Sequence, residues 1–247
     1  MGCNVILAVE LKNVGFWQKS VNAIANFISE GNFRFTDNGI QFRAIDPSQI
    51  VLVDYTVSKN SFDKYDVEPT FVGVDLVELS KIMQRALPND SMQLELTDSE
   101  LLMKFEGELS RSFRLPLIDV SDEEINIPQH KFEAKVTINA RIFKEALKDA
   151  GLFGSSVVLR VKGNQFWIEA RGSQGTLKTM ANPTQSLSVQ GTGEVISKYS
   201  LNFLQNMVKE ADPEQNILLE LKSDAPLRMS YKIGNADIQF HLAHMIL

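Results

Sequence analysis

The sequence predicts an α+β fold built from two similar domains, each containing two helix-plus-β-hairpin units. A helical pattern followed by a hairpin pattern recurs four times along the chain, at a spacing of roughly 60 residues. Strand-like segments outnumber helical ones and alternate between apolar and polar residues, as antiparallel sheets with one solvated face do. With 247 residues, 44% of them hydrophobic, the chain is long enough to bury one large core or two small ones.

The first unit begins with a helical pattern over residues 14–30. Its apolar residues recur at spacings of three and four, which places on one helix face Val14, Trp17, Val21, Ile24 and Ile28. Residues 33–45 then form two β-rich runs on either side of Asp37-Asn38-Gly39. Because Asn-Gly readily adopts positive φ, this segment predicts a β-hairpin.

The same order of elements returns three times. Helical patterns cover residues 75–87, 140–151 and 199–211, and hairpin patterns cover residues 92–107, 157–172 and 217–234. The expected apolar helix faces comprise Leu76, Leu79, Ile82, Met83 and Ala86; Ile142, Phe143, Ala146, Leu147 and Ala150; and Leu201, Leu204, Met207 and Val208. Gly151 is placed to end the third helix, and Gly163-Asn164 to turn the third hairpin. We expect the domain boundary between the second and third units, in the acidic, proline-ended stretch LIDVSDEEINIPQHKFEA, residues 117–134.

The polar faces of the four helices each carry lysine or arginine, although the protein as a whole is acidic. The chain has 25 basic and 31 acidic residues and a formal net charge of −6, which by itself argues against a nucleic-acid binder. The helix cations fit two interpretations. They belong either to ordinary solvated helix faces or to helices directed together at a polyanion, contacting phosphates without reading sequence.

No catalytic or metal-binding pattern stands out. The sequence contains no P-loop, GxSxG, HExxH or cysteine cluster, so we expect no catalytic residues, metal or cofactor. His241 and His244 are three apart in a strand-like segment and should point to opposite faces. The acidic residues before the proline could form a cation site, but a solvated linker is the preferred interpretation of Asp119, Asp122, Glu123 and Glu124.

The expected location of the protein is inside the cell. Cys3, the one cysteine, cannot form an internal disulfide, which fits a reducing compartment. The N-terminus lacks the basic region and apolar core of a signal peptide. No run approaches the roughly 18 apolar residues that a membrane span needs. We therefore expect a soluble protein.

Six segments, in order along nearly the whole chain, resemble the DNA sliding clamps of the proliferating cell nuclear antigen family, in its archaeal form. They are GIQFRAIDPSQIVLVDY (39–55), VGVDLVELSKIMQRA (72–86), RSFRLPLIDV (111–120), INIP (125–128), DAPLRMSYKIG (224–234) and FHLAHMIL (240–247). The resemblance implies two similar domains with inner helices and outer antiparallel sheets, and three chains that close into a ring around duplex DNA. It places an N-terminal clamp domain at 1–117, an interdomain connector at 118–133 and a C-terminal clamp domain at 134–247.

The resemblance also implies three sets of site residues. Non-specific contacts to double-stranded DNA are expected from Lys19, Lys81, Arg85, Lys144, Lys148 and Lys209. A pocket for a partner peptide is expected from Ile45, Gln49, Ile50, Leu52, Ile125, Ile127, Pro128, Ala225, Pro226, Phe240, His241, Leu242 and Ala243. Subunit edges are expected at Arg111, Phe113, Leu115, Leu117, Leu147, Leu177 and Lys178. The implied partners are replication and repair proteins with a clamp-binding peptide, a clamp loader, and identical or sister subunits.

The chain departs from the family where Leu242-Ala243 is followed by His244 and not by proline. The implied function is a non-enzymatic DNA polymerase sliding clamp, or processivity factor, that tethers polymerase, ligase and nuclease. One alternative is a subunit of a heterotrimeric or checkpoint-type clamp with specialised partners, which the altered C-terminal segment would fit. A remote alternative is an α+β enzyme that uses the acidic residues near the connector. The expected location is beside the nucleoid in an archaeal cytoplasm, or the nucleus of a eukaryote.

Overall fold

The computed structural model describes residues 7–121, 125–127, 129–181, 187–191 and 193–247. The chain divides into two compact units. The first comprises Met1–Asp46, Val53–Ile125 and Lys232–Ile238, and the second comprises Pro47–Leu52, Asn126–Tyr231 and Gln239–Leu247. Among the described residues, no helix combines the length and the apolar character needed to cross a membrane.

The elements up to the connector begin with β1 and end with β9. In chain order they are β1 (Leu7–Leu11), α1 (Val14–Ala25), β2 (Glu30–Thr36), β3 (Gly39–Ile45), β4 (Val51–Ser58), a 3₁₀ turn (Lys59–Ser61), β5 (Lys64–Val67), β6 (Thr70–Asp75), α2 (Leu76–Met83), β7 (Ser91–Leu96), β8 (Glu100–Glu106) and β9 (Arg111–Pro116). The strand order is β5-β1-β7-β8-β9 in one sheet, and β4, β3, β2 and β6 are neighbours in a second. Pairing is antiparallel, as in Leu7 with Val67 and Phe33 with Phe42.

The elements after the connector repeat this plan. They are β10 (Ala134–Asn139), α3 (Ala140–Ala150), β11 (Ser156–Lys162), β12 (Gln165–Gly172), β13 (Gly175–Ala181), β14 (Leu187–Gly191), β15 (Glu194–Ser200), α4 (Leu201–Val208), β16 (Asn216–Leu221), β17 (Leu227–Ile233) and β18 (Ala236–Leu242). The order β14-β10-β16-β17-β18 matches β5-β1-β7-β8-β9, and β13-β12-β11-β15 matches β4-β3-β2-β6. This shared topology confirms the predicted duplication of a helix-plus-hairpin pair.

The first three helices, α1, α2 and α3, begin at short polar side chains that satisfy their first amide groups, whereas Ser200 before α4 makes no such bond. Asn13 accepts a hydrogen bond from Gly15 N, Asp75 from Glu78 N, and Asn139 from the amides of Arg141 and Ile142. The third helix ends at Ala150, directly before Gly151 as predicted. The φ of Gly151 is −61°, so this glycine ends the helix without the left-handed conformation that often follows a helix.

The predicted hairpin turns lie where Asn-Gly and Gly-Asn stand in the sequence. Gly39 has a φ of +142°, and a Cβ there would lie 2.0 Å from the carbonyl oxygen of Val57. Gly163 has a φ of +59°, in the left-handed region that glycine adopts without steric cost. Both hairpins therefore depend on glycine, the first through close backbone approach and the second through its turn conformation.

Most residues of the predicted apolar helix faces are buried, but Ile82 and Ala86 are half-buried and Ile142 is exposed. The predicted faces of α1 and α4 are buried throughout, and Leu76, Leu79 and Met83 are buried on α2. On α3, Phe143, Ala146, Leu147 and Ala150 are buried, but Ile142 is 38% exposed. At about 100° per residue, Ile142 lies roughly 90° from the centre of that face, so it falls at its boundary.

Candidate functional site

In the first unit, α1 and α2 lie side by side and expose cations on their polar faces. The pair is joined by Gln18 Nε2, which donates to the carbonyl of Met83 at 3.0 Å, and by Ser80 Oγ, which donates to Asn22 Oδ1 at 2.8 Å. Lys19 is exposed on α1. Lys81 is exposed on α2, and Arg85 is exposed just after that helix ends. The first unit thus carries its three predicted DNA-contacting cations on its helix layer.

These three cations differ in their carboxylate neighbours. Lys81 Nζ lies 2.6 Å from Glu78 Oε1, and this hydrogen bond raises the pKa of the Lys81 ammonium. Across the described residues, no carboxylate lies within 4.0 Å of the Lys19 ammonium or the Arg85 guanidinium. Lys19 and Arg85 therefore remain available to an external anion, while Lys81 must share its charge with Glu78.

In the second unit, α3 and α4 form the corresponding helix pair. Gln205 Nε2 donates to the carbonyl of Leu147 at 3.3 Å. Lys148 Nζ lies 2.7 Å from Glu145 Oε1, which repeats on α3 the Glu-x-x-Lys pair that Glu78 and Lys81 form on α2. Lys209 is exposed at the C-terminal end of α4. Each unit therefore presents one paired lysine and at least one exposed cation on its helices.

Lys144 is bonded to the residues that end α4, and its expected contact with DNA stays a prediction. Its ammonium donates to the carbonyl of Lys209 at 3.0 Å and to that of Ala211 at 2.7 Å. These carbonyls follow the last turn of α4, where a cation satisfies unpaired acceptors and opposes the negative end of the helix dipole. Lys144 thus also borders a groove of about 320 Å³ between α3 and α4, whose polar lining includes Lys148, Gln205, Asn206 and Lys209.

Part of the expected partner-peptide surface is assembled within the second unit. Ala243 N donates to the carbonyl of Ile50 at 2.9 Å, which joins the segment 47–52 to the end of β18. Gln49 is exposed and has a φ of +59°, which turns the chain sharply before Ile50. Leu52, Phe240, His241 and Leu242 are buried, and Ala243 is half-buried.

The loop at Ala225 and Pro226 is tied to β15. Tyr199 Oη donates to the carbonyl of Ala225 at 2.8 Å, and Ala225 N donates to Ser197 Oγ at 3.4 Å. Burial raises the pKa of Tyr199 to about 12, with a smaller contribution from nearby Asp224. Ala225, Pro226 and Ile127 are all half-buried, and all belong to the second unit. Pro128 lies outside the described residues, as do Asp122, Glu123 and Glu124.

The other two expected pocket residues, Ile45 and Ile125, belong to the first unit. Ile45 ends β3 and is 43% exposed. The carbonyl of Ile125 accepts a hydrogen bond from Arg43 Nη1 at 3.2 Å, and Arg43 Nε donates to Asp54 at 2.9 Å. Arg43 was not predicted as a site residue. Arg43 occupies a polar position in an alternating strand, as any solvated arginine could, so the sequence gives no sign that it contacts Ile125.

The connector is held at both of its ends by backbone contacts. At its start, Ile118 N donates to the carbonyl of Gly73 at 3.0 Å, and Asn32 Nδ2 donates to the carbonyl of Val120 at 2.9 Å. At its end, Glu133 N donates to the carbonyl of Leu221 at 2.8 Å. These contacts agree with the interpretation that the connector is pinned to the protein, and a pinned segment also makes a firmer wall for a peptide.

The expected subunit edges lie at the ends of two sheets. Among the described strands, β9 has β8 as its one neighbour in its sheet, and β13 has β12. Phe113 is half-buried on β9, with its ring 5.6 Å from that of Phe105, and Leu115 is buried. Leu117 and Leu177 are half-buried. Both edges therefore present unpaired backbone groups together with some apolar surface.

Three of the expected edge residues make contacts within the chain. Arg111 pairs with buried Asp90 and donates to the carbonyl of Arg85 at 2.6 Å. Lys178 Nζ lies 3.3 Å from Glu169. Leu147 is 0% exposed, so its side chain has no surface to offer a neighbouring subunit.

The exposed apolar residues beside β13 are Ile142 and Met180, at 38% and 41% exposure. They line a groove of about 410 Å³ between α3 and β13. Leu147 faces the core, which makes it unsuited to the expected subunit contact, whereas Ile142 lies exposed at the edge of the buried face.

No metal site is present among the described residues, where no group of three or more His, Cys, Asp or Glu side chains could hold an ion. His241 is buried at the end of β18, whereas His244 is exposed beyond it. The arrangement offers cationic helix faces, an anchored loop surface and two free sheet edges, and these suit binding to other macromolecules.

Comparison with known proteins shows similarity to the proliferating cell nuclear antigen family. The model for the proliferating cell nuclear antigen N-terminal domain matches residues 6–124, and the model for its C-terminal domain matches residues 126–246. The DNA polymerase sliding clamp 1 of Thermococcus kodakarensis is 34% identical over 213 residues, which cover 85% of this chain and 86% of that protein. The DNA polymerase sliding clamp of Pyrococcus furiosus is 31% identical over 217 residues, 86% of this chain and 87% of that protein.

Solved structures agree on the fold. The crystal structure of PCNA from Thermococcus kodakaraensis matches with a TM-score of 0.92 at 24% identity, covering 97% of this chain and 100% of that one. The PCNA2–PCNA3 complex of Sulfolobus tokodaii matches with a TM-score of 0.87 at 23% identity, covering 96% and 98%. With both family models matched end to end, the chain belongs to the proliferating cell nuclear antigen family.

Proposed function

We propose that this protein is a DNA polymerase sliding clamp, a non-enzymatic processivity factor that encircles duplex DNA and tethers replication and repair proteins to it. The observation that carries the proposal is the duplicated helix pair, which bears exposed cations in both units of a protein whose net charge is −6. Local cations on an acidic protein suit a binding surface for phosphates that is confined to one face. Family membership and the names of the relatives support the same conclusion.

The proposed DNA contacts are loose and independent of sequence. Lys19, Arg85 and Lys209 supply charges with no close carboxylate among the described residues. Lys81 and Lys148 supply charges that exchange between a helix glutamate and a phosphate. Each lysine acts as a point charge on the sugar–phosphate backbone, and the helices offer no built arrangement for reading base edges. Lys144 contributes by fixing the end of α4, and hence the position of Lys209.

The proposed ring is a trimer closed by pairing of β9 in one subunit with β13 in the next. Such head-to-tail pairing continues a sheet across the boundary and removes two exposed edges. The groove with Ile142 and Met180 would receive apolar side chains of the neighbour. We propose the domain bounds 1–117 and 134–247, with the connector 118–133 between them, as the repeated part of that ring. The protein would act beside the nucleoid in an archaeal cytoplasm, or in the nucleus of a eukaryote.

Partner proteins are proposed to dock a short peptide on the surface around Gln49, Ile50, Ala225, Pro226 and Ala243, with Ile45, Ile125, Ile127 and Pro128 as further contacts. An exposed aliphatic residue such as Ile45 is typical of a surface that another protein covers. Polymerase, ligase, nuclease and clamp loader are the proposed partners.

A topological experiment tests the proposed function. The protein is loaded with a clamp loader onto nicked circular DNA and isolated with it, and the DNA is then cut once. A closed ring is expected to stay on the circle and to leave soon after the cut, because a ring can slide off only at an end. Equal retention before and after the cut would mean that the protein holds DNA by direct affinity and does not encircle it.

A second candidate is a subunit of a mixed ring, which His244 in place of the family's proline favours. His244 is exposed directly after Ala243, so a specialised partner would meet it. Light scattering after size-exclusion chromatography separates the two candidates. A trimer of the chain alone supports the homotrimer, whereas a monomer or dimer that completes a ring only with sister chains supports the mixed assembly.

A further inference from the structure

The face of the β13-β12-β11-β15 sheet that points away from α3 and α4 carries a depression of about 700 Å³. Alternate residues of these strands face the helices and are buried, among them Val157, Leu159 and Ile168. The residues between them line the depression instead. In register across the four strands stand Lys178, Glu169, Val158 and Lys198. We call this depression the sheet hollow.

The sheet hollow is strongly cationic although the protein is acidic. Four basic side chains and one acidic one line it: Arg160, Arg171, Lys178, Lys198 and Glu169. Glu169 is already balanced, since Arg160 lies 3.2 Å and Lys178 3.3 Å from its carboxylate. Burial opposes ionisation of Glu169, but the hydrogen bonds and charges of Arg160 and Lys178 together outweigh it and hold the pKa of this carboxyl below its usual range. Arg160 in turn reaches Glu194 at 2.9 Å.

Two cations are left over after these pairs are formed. Within the part of the chain that the structure describes, no carboxylate lies within 4.0 Å of the Arg171 guanidinium or the Lys198 ammonium. Val158 lies between their strands, and Leu247, 60% exposed, lies at the same hollow. Lys198 also accepts a backbone hydrogen bond from Met245 N at 2.7 Å, which holds the last residues against β15. A ligand with negative charges and an apolar group could therefore pair with both cations and pack on the apolar side chains of the sheet hollow.

The distance between the two free cations indicates how far apart the negative charges of the bound ligand should be. Arg171 and Lys198 lie two strands apart, and Arg171 is two residues further along the sheet, so their Cα atoms are roughly 12 Å apart. Residues i and i+4 of an extended segment are separated by roughly 13 Å and point to the same side. Residue i+2 points to that side as well and would meet Val158. A sugar–phosphate backbone offers no apolar group at that middle position.

We propose that the sheet hollow binds an extended acidic segment of a partner protein, with two carboxylates four residues apart and an aliphatic residue midway between them. One carboxylate pairs with Arg171 and the other with Lys198, and the aliphatic side chain packs on Val158 and Leu247. The surface lies on the sheet of the second unit, on the face opposite the helix cations, and its strand β15 also holds the loop at Ala225. It therefore adds a binding activity that goes beyond the proposed clamp function.

The test uses a fluorescein-labelled, amidated peptide with the core Asp-Ser-Leu-Ser-Asp, titrated with the full chain at low ionic strength and followed by anisotropy. The double variant Arg171→Glu/Lys198→Glu is expected to weaken binding about tenfold or more, because each lost pair is replaced by repulsion. The control Lys59→Glu/Lys232→Glu makes the same change in net charge at exposed lysines elsewhere and is expected to bind as the natural protein does. A peptide with serine in place of the leucine is expected to bind several-fold more weakly.

Three results would overturn the proposal. The first is equal binding by the Arg171/Lys198 variant and its control. The second is equal or tighter binding of a single-stranded oligonucleotide that competes with the peptide. The third is loss of retention on circular DNA in the Arg171/Lys198 variant alone, which would assign these cations to DNA. Arg171→Lys/Lys198→Arg keeps both charges and is expected to keep peptide binding, so a folding defect is distinguished from loss of the site.

Discussion

Asp90 is 2% exposed, and the guanidinium of Arg111 is the cation that faces it. Arg111→Ala would leave this carboxylate buried without its ion pair, and we expect a loss of about 3–5 kcal/mol in the free energy of unfolding. The measurement is urea denaturation followed by circular dichroism. Arg114→Ala on the same strand is the control: its side chain is 67% exposed and pairs with Glu100 at 3.1 Å, so its loss should stay below about 1 kcal/mol. Equal losses in the two variants would contradict this account of Arg111.

Tyr199 gives the protein a sensitivity to alkaline pH. Its pKa is raised from 10.0 to about 12, so the neutral phenol is favoured in the folded protein. The stability that this provides is complete below pH 10 and is lost as the pH rises through about 12, because the unfolded chain ionises first. Between these pH values the free energy of unfolding should fall less in Tyr199→Phe than in the natural protein. We expect the difference to be on the order of 2 kcal/mol. Parallel urea titrations at several pH values would show this, and identical slopes would exclude it.

The structural roles of Arg111 and Lys144 were not predictable from the sequence. Arg111 was expected at a subunit edge, and its partner Asp90, 21 residues away, is buried in the loop between α2 and β7. Lys144 was expected to face DNA, yet it reaches carbonyls of residues 209 and 211, more than 60 positions along the chain. Local periodicity places a side chain on a helix face, but it does not show which distant backbone groups that face will meet.

At the scale of elements, the sheet edges make the sharpest prediction. Phe113→Ala/Leu115→Ala on β9 should dissociate the ring, since both apolar contacts and the shape of the edge are lost. Ile142→Glu/Met180→Glu should do the same from the other side of the boundary, because both side chains are exposed in the groove beside β13. Light scattering after size-exclusion chromatography gives the mass. An unchanged mass in either variant would show that this edge is not a subunit contact.

The peptide surface is a second property of elements, formed where loops and the end of β18 meet. Ile127→Ala should weaken a generic clamp-binding peptide about tenfold, since a buried anchor typically contributes 1–2 kcal/mol or more, without changing the mass of the ring. His244→Pro should tighten the same peptide, because proline would fix the backbone beside Ala243. Titration calorimetry compares the three proteins. Equal affinity in His244→Pro would mean that the departure from the family is neutral.

Elements with a local signal were the ones that the sequence could predict. The four helices followed from spacings of three and four, and the four hairpins from paired β-rich runs, with an Asn-Gly turn in the first and a Gly-Asn turn in the third. These signals act within a few residues. Ile142 was predicted to lie on the buried face of α3, but it lies at the boundary of that face. At such a boundary, exposure depends on packing by β13 and not on the helical period. The anchoring of Ile125 by Arg43 joins residues 82 positions apart and left no pattern in the sequence.

For the whole molecule, the helix cations make a prediction about DNA. Reversing the charges of Lys19, Arg85 and Lys209 should weaken retention on circular DNA and lower the slope of retention against salt, because fewer counterions are released on binding. Ring mass should not change, since all three side chains are exposed. The control reverses Lys12, Lys64 and Lys232, which pair with acids on other surfaces. Unchanged retention in the first variant would mean that the helices do not line the opening.

The Glu78–Lys81 and Glu145–Lys148 pairs bear on how such a ring would move. A lysine with a carboxylate at 2.6 or 2.7 Å loses little interaction energy when it dissociates from a phosphate, because the glutamate then pairs with it. The energy of the ring would then vary little from one base pair to the next, and no position along the duplex would act as a trap. Glu78→Gln/Glu145→Gln would strengthen the binding of Lys81 and Lys148 to phosphates. We therefore expect slower one-dimensional diffusion of the ring, measured on single stretched DNA molecules.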